Sequence, residues 1–382
     1  MKVLLVIDHL GLGGAQRQMV ELACGLATRG HKIELFNYFP QHDRFLSRVR
    51  ESRVVVHEYR KGAGFSLGVI GAITSLLRHG NFDIIISFLN SPNIYAEIAS
   101  LASHGARLVV SERSSRQDDR SHLGSGTRRA LHALADRVVT NSQTHAAWLR
   151  GKWWLRSKVS CIYNGVDLAA LAPRGFAAPT SRSLRLLAVG RIGPEKNALN
   201  LITALGYFHE AYGYVPEVSW AGRRDASRSG RVYCARVDKL LESLPAISAR
   251  WHWLGEQSDL LCLFRTHDAL IHPSLYEGLP NVACEALAAG LPVLISNVCD
   301  HPLLVTEGER GFLFDPSDPQ SIAKCIERAT ELDPDSWLIV ARNARKYAET
   351  HLGVDKMVEA YEGLFSELTA PPGAVGTRAS GH

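Results

Sequence analysis

The chain has 382 residues, 46% of them hydrophobic, and a formal net charge of +5 at pH 7. This length allows two domains of ordinary size, and so mild a charge does not by itself indicate a nucleic-acid-binding protein. Seven scattered cysteines without C-x-x-C spacing argue against disulfides and a zinc site. The first residues lack the apolar core of a signal peptide, and no apolar run reaches the roughly 18–20 residues of a membrane span. These features predict a cytoplasmic protein whose membrane contacts would be peripheral.

The first domain is predicted to be α/β with a parallel sheet, because short apolar strands alternate with segments of helical periodicity. Its predicted strands are 3–7, 32–38, 53–59, 83–87, 107–110 and 137–140. In doubly wound sheets ligands bind at the carboxyl ends of strands. The polar residues predicted at those ends, as candidates to face a ligand, are His9, Asn90, Glu112, Arg113 and Asn141. Asn90 to Asn93 are predicted to form a loop.

A glycine loop follows the first strand. It contains Gly11, Gly13 and Gly14 and leads into a predicted helix from about Gln16 to Arg29. Strand, glycine loop and helix are typical of dinucleotide-binding folds. Gln16, however, stands where G-x-G-x-x-G requires its third glycine, and the second strand ends without an acidic residue for a ribose. An NAD site is therefore disfavoured, and a tight turn that needs glycine remains an alternative reading of the loop.

The segment 107–158 is strongly basic. It holds eleven Lys and Arg residues against four Asp and Glu, a balance of +7, and it also contains Trp148, Trp153 and Trp154. Basic residues with exposed tryptophans suit an anionic membrane surface or a lipid diphosphate. A solvated helix face with buried tryptophans is the alternative. Nucleic acid is disfavoured, since no known binding module is present.

Composition places the domain boundary soon after 159–163, a further predicted strand. Asn164-Gly165-Val166-Asp167 follows it, and a stretch rich in Ala, Pro and Ser then indicates a linker. The predicted divisions are a first domain at 1–168, a linker at 169–183, a second domain at 184–350, a terminal helix at 351–369 and a disordered tail at 370–382.

The second domain restarts the α/β pattern with a strand at 184–189. The loop that follows carries Arg191 and Lys196 and leads into a helix from about Ala198 to Tyr212. Two fixed cations beside the start of a helix suit a departing diphosphate. Surface charge in a loop is the alternative.

The most informative stretch runs from His272 to Pro292 and predicts strand, loop and helix. The loop carries Glu277 and the helix carries Glu285. The residues between them at the helix entry are Gly278, Leu279, Pro280 and Asn281. A helix start suits a phosphate, and the carboxylates can accept hydrogen bonds from sugar and ribose hydroxyls. The stretch therefore predicts a sugar-nucleotide site.

Helix capping explains Asp333-Pro334-Asp335 better than metal binding does, so no metal is predicted.

These motifs resemble glycosyltransferase family 4. Glu277 and Glu285 look like its E-x7-E signature, and Asn164-Gly165-Val166-Asp167 is similar to its interdomain element. Family members are retaining enzymes of the GT-B fold, an α/β architecture in which two Rossmann-like doubly wound domains face each other across a cleft. The resemblance further implies that the last helix packs back on the first domain.

The resemblance also implies residue roles. Glu277 would meet the donor sugar and Glu285 the ribose, while Arg191 and Lys196 would grip the donor phosphates. The further donor-binding residues implied are Gly13, Gly14, Leu254, Gly278, Leu279, Pro280 and Asn281. The first domain would bind the acceptor, with His9, Asn90, Glu112 and Arg113 as candidates. Many relatives carry a histidine in that domain near the donor sugar, and here Ser111, Glu112 and Arg113 follow the strand instead.

The implied activity is a metal-independent, retaining hexosyl transfer from a nucleoside diphosphate sugar, with a UDP-sugar favoured. The expected acceptor is a hydroxyl of a lipid-linked glycan or a growing polysaccharide, as in lipopolysaccharide assembly. The expected location is cytoplasmic, at the inner face of the membrane, with no cofactor and no nucleic-acid partner. The alternatives are a sugar-nucleotide epimerase of related fold, a nicotinamide oxidoreductase and a non-catalytic sugar-nucleotide-binding subunit.

Overall fold

A computed structural model describes residues 1–102, 105–113, 129–171, 178–179, 184–257 and 259–371. They belong to two compact units. One comprises Met1–Gly165 with Val354–His382, and the other comprises Val166–Gly353. Much of the predicted linker and nearly all of the predicted disordered tail lie outside the described residues. No helix in the described ranges is long and apolar enough to cross a bilayer.

The first unit is built on a seven-stranded parallel sheet in the order β3-β2-β1-β4-β5-β6-β7. The strands are β1 (Lys2–Ile7), β2 (Lys32–Asn37), β3 (Val55–Glu58), β4 (Ile84–Phe88), β5 (Arg107–Glu112), β6 (Arg137–Thr140) and β7 (Val159–Cys161). The helices of its first part are α1 (Gly14–Thr28), α2 (Leu46–Glu51), α3 (Leu67–Gly80), α4 (Asn90–Ser100) and α5 (Gln143–Arg150), with a short 3-10 turn at His132–Leu134. The strand order reverses between β1 and β4, where doubly wound sheets open a ligand crevice.

The structure corrects two boundaries in this unit. Asn90 is not in a loop, because α4 begins there directly after Leu89, which adopts a positive φ of 79°. The buried Asn93 stabilises this turn, since its amide donates to the Ser111 carbonyl at 3.0 Å. β5 also runs two residues further than predicted, to Glu112. The strand predicted at 159–163 is confirmed as β7, which ends at Cys161 and pairs with β6.

The second unit contains a six-stranded parallel sheet in the order β10-β9-β8-β11-β12-β13. Its strands are β8 (Arg185–Val189), β9 (Glu217–Ala221), β10 (Trp251–Gly255), β11 (Ala269–His272), β12 (Val293–Ser296) and β13 (Gly311–Phe314). Its helices are α6 (Ala198–Tyr212), α7 (Arg228–Glu242), α8 (Pro245–Ser248), α9 (Leu260–Thr266), α10 (Asn281–Ala288), α11 (His301–Leu304), α12 (Pro319–Thr330) and α13 (Pro334–His351). The central strands are buried apolar runs, as parallel sheets covered by helices require.

Asp333 caps α13, as the sequence predicts. One of its carboxylate oxygens accepts from the backbone N–H groups of Asp335 at 3.0 Å and Ser336 at 2.9 Å. Pro334 stands in the first turn of the helix, where a missing N–H costs nothing.

The last helix, α14 (Val354–Thr369), belongs to the first unit. Its buried face contributes Met357, Tyr361 and Phe365 to the core that also contains β1 and α1. At the helix surface Glu362 pairs with Arg29 at 2.7 Å. The first unit is therefore completed by residues from both ends of the described chain.

Gly165 is the last residue of Met1–Gly165, the first of the two chain segments that form the first unit, and it is tightly enclosed. Its N–H donates to Oε1 of Gln18 at 2.8 Å, and its carbonyl accepts from Nε2 of the same side chain at 2.8 Å. A Cβ at this position would lie 2.8 Å from the Cα of Val354 and 3.2 Å from the Cβ of Met357. The close approach of α14 to this point therefore requires glycine.

We expect Gly165→Ala to lower the free energy of unfolding by about 1–3 kcal/mol, because backbone atoms must shift to admit the methyl group. Gly71 in α3 is a matched control, since a Cβ there meets no atom within 4 Å. Gly71→Ala should be neutral or stabilising by up to about 1 kcal/mol. Urea unfolding of both variants checks this, and equal effects at the two positions would contradict the account.

Candidate active site

Two neighbouring loops meet at the carboxyl edge of the second sheet. One follows β8 and contains Lys196; the other follows β11, which pairs with β8. The backbone N–H of Leu275 donates to the Glu195 carbonyl at 2.9 Å. The Asn197 amide donates to the Pro273 carbonyl at 3.1 Å. These bonds fix the two loops to each other before any ligand binds.

An ion pair occupies this junction. Nζ of Lys196 lies 2.7 Å from Oε2 of Glu277, and the two side chains are 16% and 24% exposed, respectively. Burial alone would raise the pKa of Glu277, but the nearby His272 ring and the Lys196 charge outweigh it and hold the pKa well below its usual range. The carboxylate is therefore ionised at neutral pH and can act as a hydrogen-bond acceptor.

Two buried histidines lie behind this pair. Nε2 of His272 is 3.0 Å from the Ser274 hydroxyl and 3.8 Å from Oε2 of Glu277. The His301 ring stands edge-on to the His272 ring, with centroids 5.7 Å apart, and its Nδ1 donates to the Ser296 carbonyl at 2.8 Å. Burial lowers the pKa of His301 to about 3 and also lowers the pKa of His272. Both rings are therefore neutral at pH 7.

Neither histidine belongs to the site residues predicted from the sequence. His272 stands at the end of a strand, five residues before Glu277, so its position was a usable signal. His301 lies behind the next strand, and nothing local connects it to the site.

Arg191 is on the same loop as Lys196 but points elsewhere. Its Nη2 lies 2.5 Å from Oε1 of Glu195, its Nε lies 3.8 Å from Oδ2 of Asp225, and its side chain is 47% exposed. Hydrogen bonding to Glu195 raises the pKa of Arg191. An anion that binds here would compete with Glu195 for the guanidinium.

The entry to α10 forms the third side of the candidate site. Asn281 is its first residue, and Pro280 at the N-cap position offers no side-chain acceptor to the first turn. Such a helix start suits an anion. Glu285 lies one turn further along and is 7% exposed, while Leu279 in the preceding loop is 4% exposed. Gly278 separates Leu279 from Glu277.

Leu254 lies apart from this junction. It stands near the end of β10, an edge strand that two other strands separate from β11. Its carbonyl accepts from Nε2 of Gln257 at 2.6 Å. Its role in donor binding stays a prediction.

In the first unit, the glycine loop is organised by Gln16. This side chain is buried and donates from Nε2 to Oδ1 of Asp8 at 2.9 Å. A Cβ on Gly13 would lie 2.0 Å from its Oε1, and Gly14 is the first residue of α1. The residue that replaces the third glycine of the dinucleotide motif thus folds back over the loop. His9 lies beside it, with Nδ1 accepting from the Gly11 N–H at 3.0 Å.

Asn90 and His9 lie at the ends of the adjacent strands β4 and β1, where the strand order reverses. Asn90 is exposed and His9 is partly buried. Both are therefore placed where a ligand of a doubly wound sheet would bind.

Glu112 is the centre of a buried charge cluster at the end of β5. It is 3% exposed, and its two oxygens accept from Nε2 of His132 at 2.9 Å and Nε2 of His145 at 2.8 Å. Arg129 donates to it at 3.2 Å, and His132 bonds to Glu97 through its other nitrogen. The carboxylate holds these segments together, so direct contact with an acceptor finds no support in the geometry.

The cluster shifts the protonation of its members. Burial opposes charge on Glu112 and on His132. For Glu112, the hydrogen bonds from His132 and His145 outweigh burial, so its pKa lies well below its usual range. For the same reason, with Glu97 also contributing, the pKa of His132 rises to about 9. His132 is therefore an imidazolium between two carboxylates at neutral pH.

Arg113 also makes contacts inside the first unit. Its guanidinium lies over the Phe88 ring, 3.7 Å from the centroid, and Nη2 donates to the Tyr361 hydroxyl at 3.3 Å. Nη1 donates to Oδ1 of Asn164. Burial lowers the pKa of Arg113. Arg113 therefore connects β5 to α14, and these contacts leave an acceptor role as a prediction only.

No metal site accompanies these groups in the described ranges, where no three His, Cys, Asp or Glu side chains are arranged to hold an ion. Of the residues that sequence reasoning selected, the structure brings Lys196 and Glu277 into direct contact.

Two family models match the chain, one to each half. "Glycosyltransferase Family 4" matches residues 12–170, and "Glycosyl transferases group 1" matches residues 177–351. Between them they cover nearly the whole described chain.

The curated relatives are also named as glycosyltransferases. The chain is 27% identical over 220 residues to the UDP-Gal:alpha-D-GlcNAc-diphosphoundecaprenol alpha-1,3-galactosyltransferase of Escherichia coli, a match that covers 55% of this chain and about half of that enzyme, 54%. It is 28% identical to a D-inositol 3-phosphate glycosyltransferase of Thermomonospora curvata, with 95% of this chain and 93% of the relative covered.

Solved structures show the fold. A glycosyltransferase from Rickettsia africae superimposes with a TM-score of 0.79 at 17% identity, covering 96% of this chain and 98% of that one. HepE of Anabaena, in a structure titled as a complex with UDP and glucose, gives 0.79 at 21% identity, covering 96% and 100%. The two parallel-sheet domains are therefore those of the GT-B fold.

The Lys196–Glu277 pair predicts an acid-sensitive contribution to stability. Because the pKa of Glu277 is depressed on folding, the contribution is complete above its unfolded value, near 4.5, and is lost as the pH falls towards the folded value. Glu277→Gln should lower the free energy of unfolding by about 1–3 kcal/mol at pH 7, and this deficit should shrink below that point. Urea unfolding over a pH series measures it. The variant Lys196→Met/Glu277→Gln lacks the same carboxylate, so its deficit relative to the wild type should shrink over the same pH range. A deficit that stays constant down to pH 3 would contradict the assignment.

His132 predicts the opposite dependence. A pKa raised from 6.5 to about 9 stabilises the fold fully below pH 6.5, and this stabilisation is lost as the pH rises through 9. His132→Gln should lower the free energy of unfolding by about 3–5 kcal/mol at pH 6 and by less at alkaline pH. His57 serves as the control, because its pair with Glu34 is partly exposed and should contribute less than about 1 kcal/mol. Equal losses of unfolding free energy in His132→Gln and His57→Gln would argue against a buried imidazolium at His132.

Proposed function

The chain belongs to the glycosyl transferases of group 1 and family 4, and from this premise we propose that it transfers a hexose, with retention, from a UDP-sugar to a hydroxyl group. The observation that carries the proposal is the Lys196–Glu277 ion pair, held between two bonded loops beside the start of α10. One relative named for UDP-galactose and a fold neighbour solved in complex with UDP and glucose support the choice of base.

The reaction breaks the bond between the sugar and the β-phosphate, so negative charge grows on the leaving diphosphate. Lys196, Arg191 and the first turn of α10 would stabilise that charge more in the transition state than in the ground state. Glu195 holds Arg191 until a phosphate replaces it. These fixed cations supply the charge that a divalent metal supplies in other transferases, and we propose that no metal is required.

Glu277 would bind the donor sugar. Its low pKa makes it an acceptor of hydrogen bonds from sugar hydroxyls and unsuited to act as a general acid. No covalent nucleophile is needed if the acceptor attacks on the face that the phosphate leaves and the phosphate takes the acceptor proton. Glu285 would bind the ribose from within α10.

We propose a glycan or lipid-linked acceptor, bound by the first unit at the end of the sheet that carries His9 and Asn90. Support comes from the relative named for a diphosphoundecaprenol acceptor. Such an acceptor implies that the enzyme acts at the cytoplasmic face of a membrane. The protein would contact that membrane peripherally through the basic segment 107–158.

Ligand binding should raise thermal stability selectively. A nucleotide at about 100 times its dissociation constant adds roughly 2.7 kcal/mol. We expect UDP to give this shift and GDP, ADP and NAD to give less, with the UDP shift retained in EDTA. Lys196→Ala and Glu285→Ala should abolish it, whereas Lys239→Ala, an exposed site on α7, should keep it. Scanning calorimetry with each ligand measures the shifts.

Four outcomes would overturn the proposal or one of its parts. A shift with NAD alone would favour an oxidoreductase, and loss of the UDP shift in EDTA would indicate a metal. Conversion of a UDP-sugar without any acceptor would favour an epimerase. With an acceptor present, proton NMR of the first product should show the anomeric configuration of the donor, and an inverted product would exclude retention.

A further inference from the structure

Three exposed apolar side chains lie on one edge of the first sheet. Leu101 follows α4 and precedes β5, Leu134 precedes β6, and Trp153 lies between α5 and β7. β5, β6 and β7 are neighbours in a parallel sheet, so the segments that lead into them share its amino edge. We call these three residues the tryptophan edge. It is opposite the carboxyl edge that carries His9 and Asn90.

Direct bonds hold these entry segments together. Nζ of Lys158, just before β7, donates to the carbonyls of Ala133 at 2.7 Å and Ala135 at 2.8 Å, on either side of Leu134. Asp136 pairs with Arg107 at the start of β5, at 3.1 Å. These bonds connect the entries of β5, β6 and β7 at the amino edge of the sheet.

The exposure of these side chains is high for their size. Trp153 is 84% exposed, Leu101 67% and Leu134 39%. Trp153 touches Trp154 edge-on, with ring centroids 5.7 Å apart, while Trp154 itself is only partly exposed. Burial of Trp153 contributes almost nothing to the stability of the chain, and clustered exposed apolar groups of this kind mark interaction surfaces.

The charge around the edge is mainly positive, although Arg107 pairs with Asp136 and Arg137 pairs with Glu367. The described residues 129–160 contain six Lys and Arg residues and one acidic residue, Asp136. Arg150 and Arg156 are exposed next to Trp153, and Lys152 lies 4.2 Å over the Trp148 ring. Cations that surround an aromatic side chain suit a surface that is negatively charged outside and apolar beneath.

We propose that the tryptophan edge docks on an anionic lipid bilayer. Trp153, with Leu101 and Leu134, enters the headgroup boundary, and Arg150, Lys152 and Arg156 contact anionic headgroups. This inference rests on the membrane contact proposed above and not on the donor chemistry, so the two can fail separately. It assigns the contact to the amino edge of the sheet, away from the ligand edge.

Sedimentation with vesicles tests the assignment. We expect the full chain to bind vesicles of phosphatidylglycerol and phosphatidylcholine in equal parts, to ignore phosphatidylcholine alone, and to be released in about 1 M salt. Trp153→Ala should weaken binding about tenfold. Lys152→Glu/Arg156→Glu should weaken it by about fivefold or more for each reversed charge. The UDP thermal shift should be unchanged in these variants and reports on folding and on the donor site.

Two controls locate the surface. Lys61→Glu/Leu67→Ala changes a cation and an exposed leucine at the opposite edge of the same sheet, and Val232→Ala/Arg236→Glu changes exposed residues of α7. Both should bind vesicles as the wild type does.

Several results would overturn the proposal: binding to neutral vesicles as strong as to anionic ones, no binding at all, or loss of binding in the Leu67 variant instead of the Trp153 variant. A wild-type dimer that Trp153→Ala converts to a monomer in analytical ultracentrifugation would assign the edge to self-association instead.

Discussion

The ion pair between Lys196 and Glu277 joins the two loops that carry the candidate donor site, and the surrounding backbone is shaped to hold it. Asn197 adopts a left-handed conformation with φ of 60°. Gly190 has φ of 149°, and a Cβ there would lie 3.0 Å from Cε of Lys196. A Cβ on Gly222 would lie 2.0 Å from the Gly190 carbonyl oxygen. The lysine stem thus packs directly on backbone, which places its charge before a ligand arrives.

The two units use the carboxyl ends of parallel strands in different ways. In the second unit these ends carry a partly open ion pair and an uncapped helix start, groups that can exchange their present partners for a ligand. At the end of β5 the corresponding charges are buried, and Glu112 satisfies His132, His145 and Arg129 at once. Such a cluster stabilises one arrangement of segments, and its burial keeps the Glu112 carboxylate away from a substrate. Among the described residues, the β1–β4 junction of the first sheet presents the exposed polar group Asn90.

The parts of the candidate donor site whose residues are close together in the sequence could be predicted from it. Glu277, Pro280 and Asn281 lie within one short stretch of sequence, so their pattern predicts a loop and a helix start. The apolar runs of β8 and β11 predicted these two strands. That Lys196 and Glu277 belong to one site was implied only by the resemblance, because 81 residues separate them, and their direct contact was not predicted. The Glu112 cluster could not be predicted, since its partners come from α4, α5 and the turn before β6. The early start of α4 depended on a positive φ at Leu89, which no residue preference signals.

The return of α14 to the first unit reverses the usual order of folding during synthesis. The second unit is one continuous segment, Val166–Gly353, and its last residue leaves the ribosome before α14 does. The first unit, although translated first, lacks Tyr361 and Phe365 until the end and leaves the apolar faces of β1 and α1 uncovered meanwhile. Domains usually complete in order from the N-terminus. Here the core of the earlier unit stays incomplete until α14 has been synthesised, so its uncovered apolar face is a surface on which a chaperone can act.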